Sequence, residues 1–250
     1  MFIRNVFRKL LYGNMATSDS YLEYLRQIGV SIGEGTTIFC SPRDCVIDTQ
    51  NPYLLSIGKN VQITRGVTLL THDYSWSVIK GCFGEVCGGQ FPLAIGDNVF
   101  IGMNAVLLGG AHVGNNVVIG AGSVVKGHIP SNTVVAGNPA RVICTIEEYR
   151  DKRRDQQLDE AYDVYLHWLN RYGTRPDKSL FREYFWLFES AASELPPLFS
   201  EVNGYIDAAL TDKAFNCWEP RFSGFEEFEK YCLNRIDVER SGSAGVANEY

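Results

Sequence analysis

The sequence predicts a three-sided coil of short parallel strands, capped by helix at its start and followed by a helical extension. Three observations carry that prediction. First, an aliphatic residue opens each block of six, at Ile95, Ile101, Leu107, Val113, Ile119 and Val125. A period of six matches neither the 3.6 of a helix nor strand alternation carried across turns. Second, the fifth place of each block holds Val99, Ala105, Ala111, Val117, Ser123 or Ile129, with turn-forming pairs such as Asp97-Asn98, Gly109-Gly110 and Asn115-Asn116 between. Each block is therefore a flat strand and a corner. Three blocks make one turn of a triangular prism, and stacked turns pair at about 4.8 Å, the ordinary strand spacing. Third, beyond Ile143 the apolar spacing becomes helical.

Residues 1–30 are expected to form a helical cap. Met1 to Tyr12 sets Phe2, Ile3, Val6, Phe7, Leu10 and Leu11 among Arg4, Arg8 and Lys9, which suits a short amphipathic helix packed on a neighbour and leaves peripheral membrane contact open. It lacks the continuous apolar stretch of a signal peptide. Ser18 or Ser20 is the expected N-cap of a second helix, with Tyr21, Leu22, Tyr24, Leu25 and Ile28 at helical spacing and Gly29 ending it.

The coil is expected over 31–145, its count reaching back through Ile57, Ile63 and Leu69 and more faintly to Ile32 and Ile38. The count slips twice. Ile38 to Ile57 is one residue longer than three hexads, which predicts a bulge near Pro42 to Asn51; Leu69 to Ile95 is two longer than four. Within the second interval, residues 73–91 lose the aliphatic spacing and read as a loop ejected from the prism wall, where function concentrates on a rigid scaffold.

Residues 146–237 are expected to be helical, over Glu147 to Tyr172, Ser179 to Glu194, Pro197 to Leu210 and Phe225 to Asn234. The aromatic stripe of Phe181, Tyr184, Phe185, Trp186 and Phe188 is expected to be core. Residues 238–250, small and polar toward the end, are expected to be a disordered tail.

With 45% hydrophobic and 21% charged residues in 250, the composition is that of a water-soluble protein with one main core and an appendage. No apolar run approaches the roughly 20 residues needed to span a bilayer, so no integral membrane segment is expected and the cytoplasm is the default. Seven cysteines without a CxxC pair read as reduced and mostly buried thiols. A net charge of -6 argues against nucleic acid as partner.

Four ordered motifs carry a family resemblance: Thr71-His72-Asp73, Ile95 to Gly102, Ile119 to Lys126, and Ala136-Gly137-Asn138-Pro139-Ala140-Arg141-Val142-Ile143. Across about residues 30 to 146 the chain resembles the hexapeptide-repeat acyltransferases, among them galactoside, maltose and xenobiotic acetyltransferases. The resemblance implies an all-β left-handed parallel β-helix core with N-terminal helices and an α-helical C-terminal extension; the left hand comes from it alone, since the general rule for parallel crossovers would select the right. The extension is similar to helices on some capsule, O-antigen and exopolysaccharide acetyltransferases. The family implies a homotrimer, acetyl-CoA in the groove between prisms, and transfer of acetyl to a hydroxyl of a sugar or surface-polysaccharide intermediate.

An alcohol becomes a competent nucleophile when a base takes its proton, and imidazole titrates near neutral pH. Of four histidines, His72 stands where the hexads end and the loop begins, within the Thr-His motif, and is the expected base. Asp73 either orients the imidazole or caps the loop. Where the family often has Trp-Ile-Gly-Ser this chain has Phe100-Ile101-Gly102-Met103, so the oxyanion donor is expected to be a main-chain NH near Gly102 or Met103, with Phe100 against pantetheine. Main-chain groups near Ala121 and Ser123 are expected to meet the pantetheine amides, and the family match places Lys126 and Arg141 on the CoA phosphates. Tyr74 and Trp76 either stack on a sugar acceptor or pin the loop to a neighbouring subunit. His112 and His128 lack a third imidazole at a matching interval, so no metal is expected. Two other readings stand beside this one: N-acetylation of an amino sugar or xenobiotic, and a non-catalytic trimeric scaffold.

Overall fold

The computed structural model describes residues 11–246, with side chains through 241. The expected helix over Met1 to Tyr12 falls outside these except for Leu11 and Tyr12, which are helical. The chain divides into two compact units, Met1–Arg150 and Asp151–Tyr250.

In the first unit the chain visits three parallel sheets in fixed rotation. The first holds Ser31–Ile32, Leu55–Ile57, Leu93–Ile95, His112–Val113 and His128–Ile129; the second Thr37–Ile38, Gln62–Ile63, Val99–Ile101, Val117–Ile119 and Thr133–Gly137; the third Val46–Ile47, Thr68–Leu69, Val106–Leu107 and Val124–Val125. Register stacks the hexad-opening residues in columns: Ile63, Ile101 and Ile119 in the second sheet, Leu69, Leu107 and Val125 in the third. All six are fully buried. Each such side chain contributes about 1.5–3 kcal/mol by leaving water, and no round could bury its column without its neighbours. Ala140–Thr145 then pairs antiparallel with Thr133–Gly137 and ends the second sheet.

The corner from first to second sheet is turned by Asn98, Asn116 and Asn132 at positive φ. Their side chains bond upward, Asn98 Nδ2 to Asn116 Oδ1 at 2.9 Å and Asn116 Nδ2 to Asn132 Oδ1 at 2.8 Å. Asn tolerates this left-handed conformation, and the ladder satisfies its amides. Helix α1, Ser18–Gln27, packs Tyr21, Leu22 and Leu25 into the same core. Its N-cap is Thr17, in a reciprocal capping box with Ser20, rather than Ser18 or Ser20; Ser18 instead accepts the Ile38 amide at 2.9 Å. The bulge between Ile38 and Ile57 consists of two single turns of 3-10 helix, Pro42–Asp44 and Pro52–Leu54.

The segment 73–91 is more than a loop. His72–Asp73 pairs antiparallel with Gly89–Gln90, and between them lies helix α2, Trp76–Phe83, ended by Gly84 in the left-handed conformation. It buries none of its residues, so no apolar periodicity announced it.

In the second unit, α3 (Ile146–Tyr172) supplies Leu158, Ala161, Tyr162 and Tyr165 to a core with Phe181, Phe185, Phe188, Phe199 and Phe228. The aromatic stripe is thus core, but 179–194 is not one helix. It forms 3-10 turns at Lys178–Phe181 and Phe185–Leu187, because Lys178 pairs with buried Glu189. A straight helix would hold those two about 16 Å apart. The helix expected over Pro197 to Leu210 is two, α4 (Pro197–Asn203) and α5 (Ala208–Asn216), parted at Gly204 and restarted by Asp207, whose carboxylate caps the Leu210 amide at 2.9 Å. Helix α6, Phe225–Val246, runs through residues expected to be disordered from 238. Glu239 explains this, accepting Tyr162 Oη at 2.7 Å and Arg235 Nε at 3.0 Å. Among the described residues no helix is long and apolar enough to cross a membrane. The cysteines are free, but only Cys45 and Cys232 are buried; Cys82, Cys87 and Cys217 are exposed.

Candidate active site

The corner from third to first sheet carries the site. Asp48 follows Val46–Ile47, and its amide bonds to Leu69 O at 3.0 Å; Leu70 in turn bonds to Leu107 O, and Leu108 to Val125 O. Asp48, Leu70, Leu108 and Lys126 therefore climb one column. Thr71 and His72 leave that column at its second rung. The arm returns over the next corner, with Phe91 N on Thr71 O at 2.7 Å and Gly110 N on Pro92 O at 2.8 Å. Gly109 permits this approach: a Cβ there would stand 3.1 Å from that of Phe91.

Asp48 is buried and holds His72, with Oδ2 2.6 Å from Nδ1. The same oxygen accepts the Thr71 amide at 3.0 Å and the Thr71 hydroxyl, while Oδ1 accepts the Gln50 amide at 2.9 Å. Burial acts to raise the Asp48 carboxyl, but the hydrogen bonds from Thr71, Gln50 and His72 outweigh it and hold the group below its ordinary value. A carboxylate can only accept, so Nδ1 carries a proton, and in the neutral imidazole Nε2 keeps its lone pair. Asp73 has the other role anticipated for it. Its Oδ1 accepts Ser75 N at 2.9 Å and Ser75 Oγ at 2.6 Å, bonds that lower its carboxyl while it caps the arm. The residue that orients the imidazole is Asp48, which sequence reasoning missed.

Tyr74 and Trp76 stand beside His72. The Tyr74 ring meets the imidazole edge-on at 4.9 Å and the Trp76 ring at 6.1 Å. With Gln50, Asp73 and Gln90 they line a cleft of about 300 Å³.

The residues expected at CoA are not gathered at this corner. Lys126 is the exception, ending the column that Asp48 begins, two rungs beyond Leu70 and roughly 10 Å along it. Phe100 faces outward from the second sheet, Gly102, Met103 and Ala121 lie at the corner between second and third, and Arg141 is on the antiparallel end strand. The third sheet separates the two groups within one chain.

Their chemistry fits a long, anionic, thioester-bearing ligand. The Met103 and Ala121 amides find no acceptor among the described residues. Lys126 and Arg141 are exposed, and neither forms an ion pair among the described residues. Phe100 and Met103 offer exposed apolar surface. Ser123 does not fit: it is buried, its hydroxyl donates to Gly120 O at 2.7 Å and accepts Gly137 N at 3.2 Å, and its amide and carbonyl bond within the wall. It serves the corner, not a ligand. His112 and His128 are register partners on the outer face of the first sheet, and no group of three or more ligating side chains occurs among the described residues.

The family model described as bacterial transferase hexapeptide (six repeats) matches residues 94–127. Protein CapG of Staphylococcus aureus is 37% identical over 150 residues, 60% of this chain and 83% of CapG. Galactoside O-acetyltransferase of Escherichia coli is 40% identical over 126 residues, 50% of this chain and 58% of that enzyme. A solved maltose O-acetyltransferase from Clostridium difficile is 31% identical, with 51% of this chain and 75% of that one covered and a TM-score of 0.38. The chain thus spans most of CapG but little more than half of the galactoside enzyme.

Proposed function

This chain belongs to the bacterial hexapeptide-repeat transferases, and from that premise we propose that it is an acetyl-CoA-dependent O-acetyltransferase acting on a hydroxyl of a sugar or surface-polysaccharide intermediate. The observation that carries the reading is the buried Asp48 holding His72 at the cleft lined by Tyr74 and Trp76. Similarity to the galactoside O-acetyltransferase supports a sugar hydroxyl as acceptor.

His72 Nε2 takes the hydroxyl proton as the oxygen attacks, and Asp48 stabilises the imidazolium that forms. Acetyl-CoA supplies the acetyl group as a thioester. The unbonded amides of Met103 and Ala121 suit the negative charge that develops on the thioester oxygen. His72 then returns its proton to the departing CoA sulfur. Lys126 and Arg141 hold the phosphates, and Phe100 lies along pantetheine.

The third sheet keeps the base apart from those amides within one chain. A trimer of left-handed parallel β-helices would bring the corner between second and third sheets of one copy to the His72 corner of the next, and the split arrangement supports that assembly. The domain reading that goes with it is, within the described residues, a helical cap over 11–30, the catalytic coil over 31–145 and a helical extension from 146.

The test is thiol release from acetyl-CoA with a panel of sugars. His72→Ala should abolish transfer while sedimentation still reports the wild-type assembly. Full activity in that variant, or no calorimetric binding of CoA by the wild type, would reject the reading, the second in favour of a scaffold.

A further inference from the structure

We propose that Cys40 and Cys45 form a redox-active dithiol, a modification site at which a peroxide closes a reversible disulfide across the turn Pro42–Asp44. The proposal goes beyond acetyl transfer and does not depend on it. The two sulfurs lie 3.4 Å apart, already in contact. A disulfide bond is about 2.0 Å long, so closure asks for an approach of roughly 1.4 Å, within the reach of side-chain rotation. The backbone on both sides is pinned. Phe39 N bonds to Ile63 O at 2.9 Å and Val46 N to Val67 O at 2.9 Å, so the neighbouring rung holds the two residues in place. Between them the turn is closed by Asp44 N on Ser41 O at 2.8 Å and Cys45 N on Pro42 O at 3.2 Å. Arg65 grips it from the next rung, with Nε and Nη2 on Asp44 Oδ2 at 3.0 and 2.8 Å. Two reactants held face to face close a ring quickly.

The two thiols are unequal. Cys45 is 5% exposed, and burial, with the Cys40 contact adding to it, pushes its thiol up to about 12, so it stays protonated. Cys40 is half-buried, and its sulfur meets the oxidant. As thiolate it attacks one peroxide oxygen; the O–O bond breaks, and the other oxygen leaves as hydroxide and is protonated to water. Cys45 sulfur then attacks the Cys40 sulfenic acid. The S–S bond forms, the S–O bond breaks, and the leaving hydroxide takes the Cys45 proton as a second water. The two thiols lose two electrons and the peroxide gains them; a dithiol reductant reverses the step. The closed ring staples the turn that sets the phase of Asp48, three residues beyond Cys45.

The test treats the full chain with hydrogen peroxide, blocks the remaining thiols with N-ethylmaleimide and digests with trypsin. Arg43 lies between the two cysteines, so cleavage there leaves Cys40 in peptide 27–43 and Cys45 in peptide 44–59, joined only by the bridge. The joined pair should be the main product, form at least tenfold faster in the folded chain than in urea, and part on adding dithiothreitol. Cys45→Ala should leave a sulfenic acid on Cys40 that dimedone captures, whereas Cys40→Ser should leave Cys45 unoxidised. The oxidised wild type should melt about 3 °C or more above the reduced, a gap that Cys40→Ser abolishes. The proposal is overturned by linkage no faster in the folded chain than in urea, by both thiols still open to maleimide after peroxide, or by a bridge from either to Cys82 or Cys87 in preference. An oxidised wild type that melts at or below the reduced midpoint also overturns it. None of these readouts uses acetyl transfer, so their failure leaves the acetyltransfer reading standing.

Discussion

His72 Nδ1 lies 2.6 Å from Asp48 Oδ2, a contact across 24 positions of sequence that stacking reduces to adjacent rungs of one sheet. That relationship makes Asp48 a positioning residue whose charge can be tested apart from its shape. Asp48→Asn should lower kcat about 10²–10⁴-fold, with the KM for acetyl-CoA little changed, because the amide cannot stabilise an imidazolium and can favour the wrong tautomer. Steady-state kinetics with acceptor and donor varied separately checks this. A kcat within threefold of wild type would remove Asp48 from the mechanism.

The same carboxylate should appear in the acid limb of stability. Its folded value lies below the unfolded one, so its contribution is fully present above the unfolded carboxylate range near pH 4 and is lost as pH falls through the folded value. The Tm difference between wild type and Asp48→Asn should therefore shrink as pH falls below about 4. A difference that grows as pH falls below about 4 would reverse the assignment.

The wall of the prism was legible because each round repeats the same demand, one aliphatic residue inward and one corner. Ile101, Leu107 and Ile119 declare it, and all are buried. Asp48 was illegible for the converse reason. The turns at Pro42–Asp44 and Pro52–Leu54 shift the phase, and a count in sixes cannot place Asp48 beneath Leu70, within reach of Thr71 and His72. Helix α2 was hidden because an exposed helix needs no apolar stripe. Ser123 looked like a ligand residue from its place in the Gly-Ala-Gly-Ser run, but a corner consumes the polar groups it turns with. His72, Tyr74 and Trp76 line one cleft, and the sequence singles them out because the hexads stop at them.

Leu107 sits fully buried between Leu69 and Val125, so its truncation tests the column itself. Leu107→Ala should cost about 2–5 kcal/mol, since neighbouring rungs are fixed by their own hydrogen bonds and cannot collapse into the space. Val78→Ala, on the exposed arm helix, should cost less than about 0.5 kcal/mol. Denaturation at fixed protein concentration compares them, and equal losses would mean the columns are not what holds the coil.

Lys126 and Arg141 are cations without a carboxylate partner among the described residues, at the ends of different sheets. Each Lys126→Gln or Arg141→Gln change should weaken CoA about tenfold, the worth of a charge-assisted phosphate contact, and flatten the salt dependence of binding. Calorimetry at two ionic strengths reads both. Unchanged affinity in either variant would return that residue to the solvated surface.

In the second unit the ion pair of Lys178 with Glu189 closes the fold-back that replaces a helix. Glu189 is only 3% exposed, and the Lys178 ammonium also lies 5.9 Å from the Phe199 ring. Removing the cation strands a buried carboxylate, so Lys178→Met should cost about 3–5 kcal/mol, more than the pair itself contributes. Replacing both partners removes the stranded charge, and Lys178→Met with Glu189→Leu should recover most of the loss. Thermal unfolding of the single and double variants decides the matter. If the double variant is as unstable as the single, the pair fixes the chain path by geometry that apolar side chains cannot reproduce, and the desolvation account of the single variant fails.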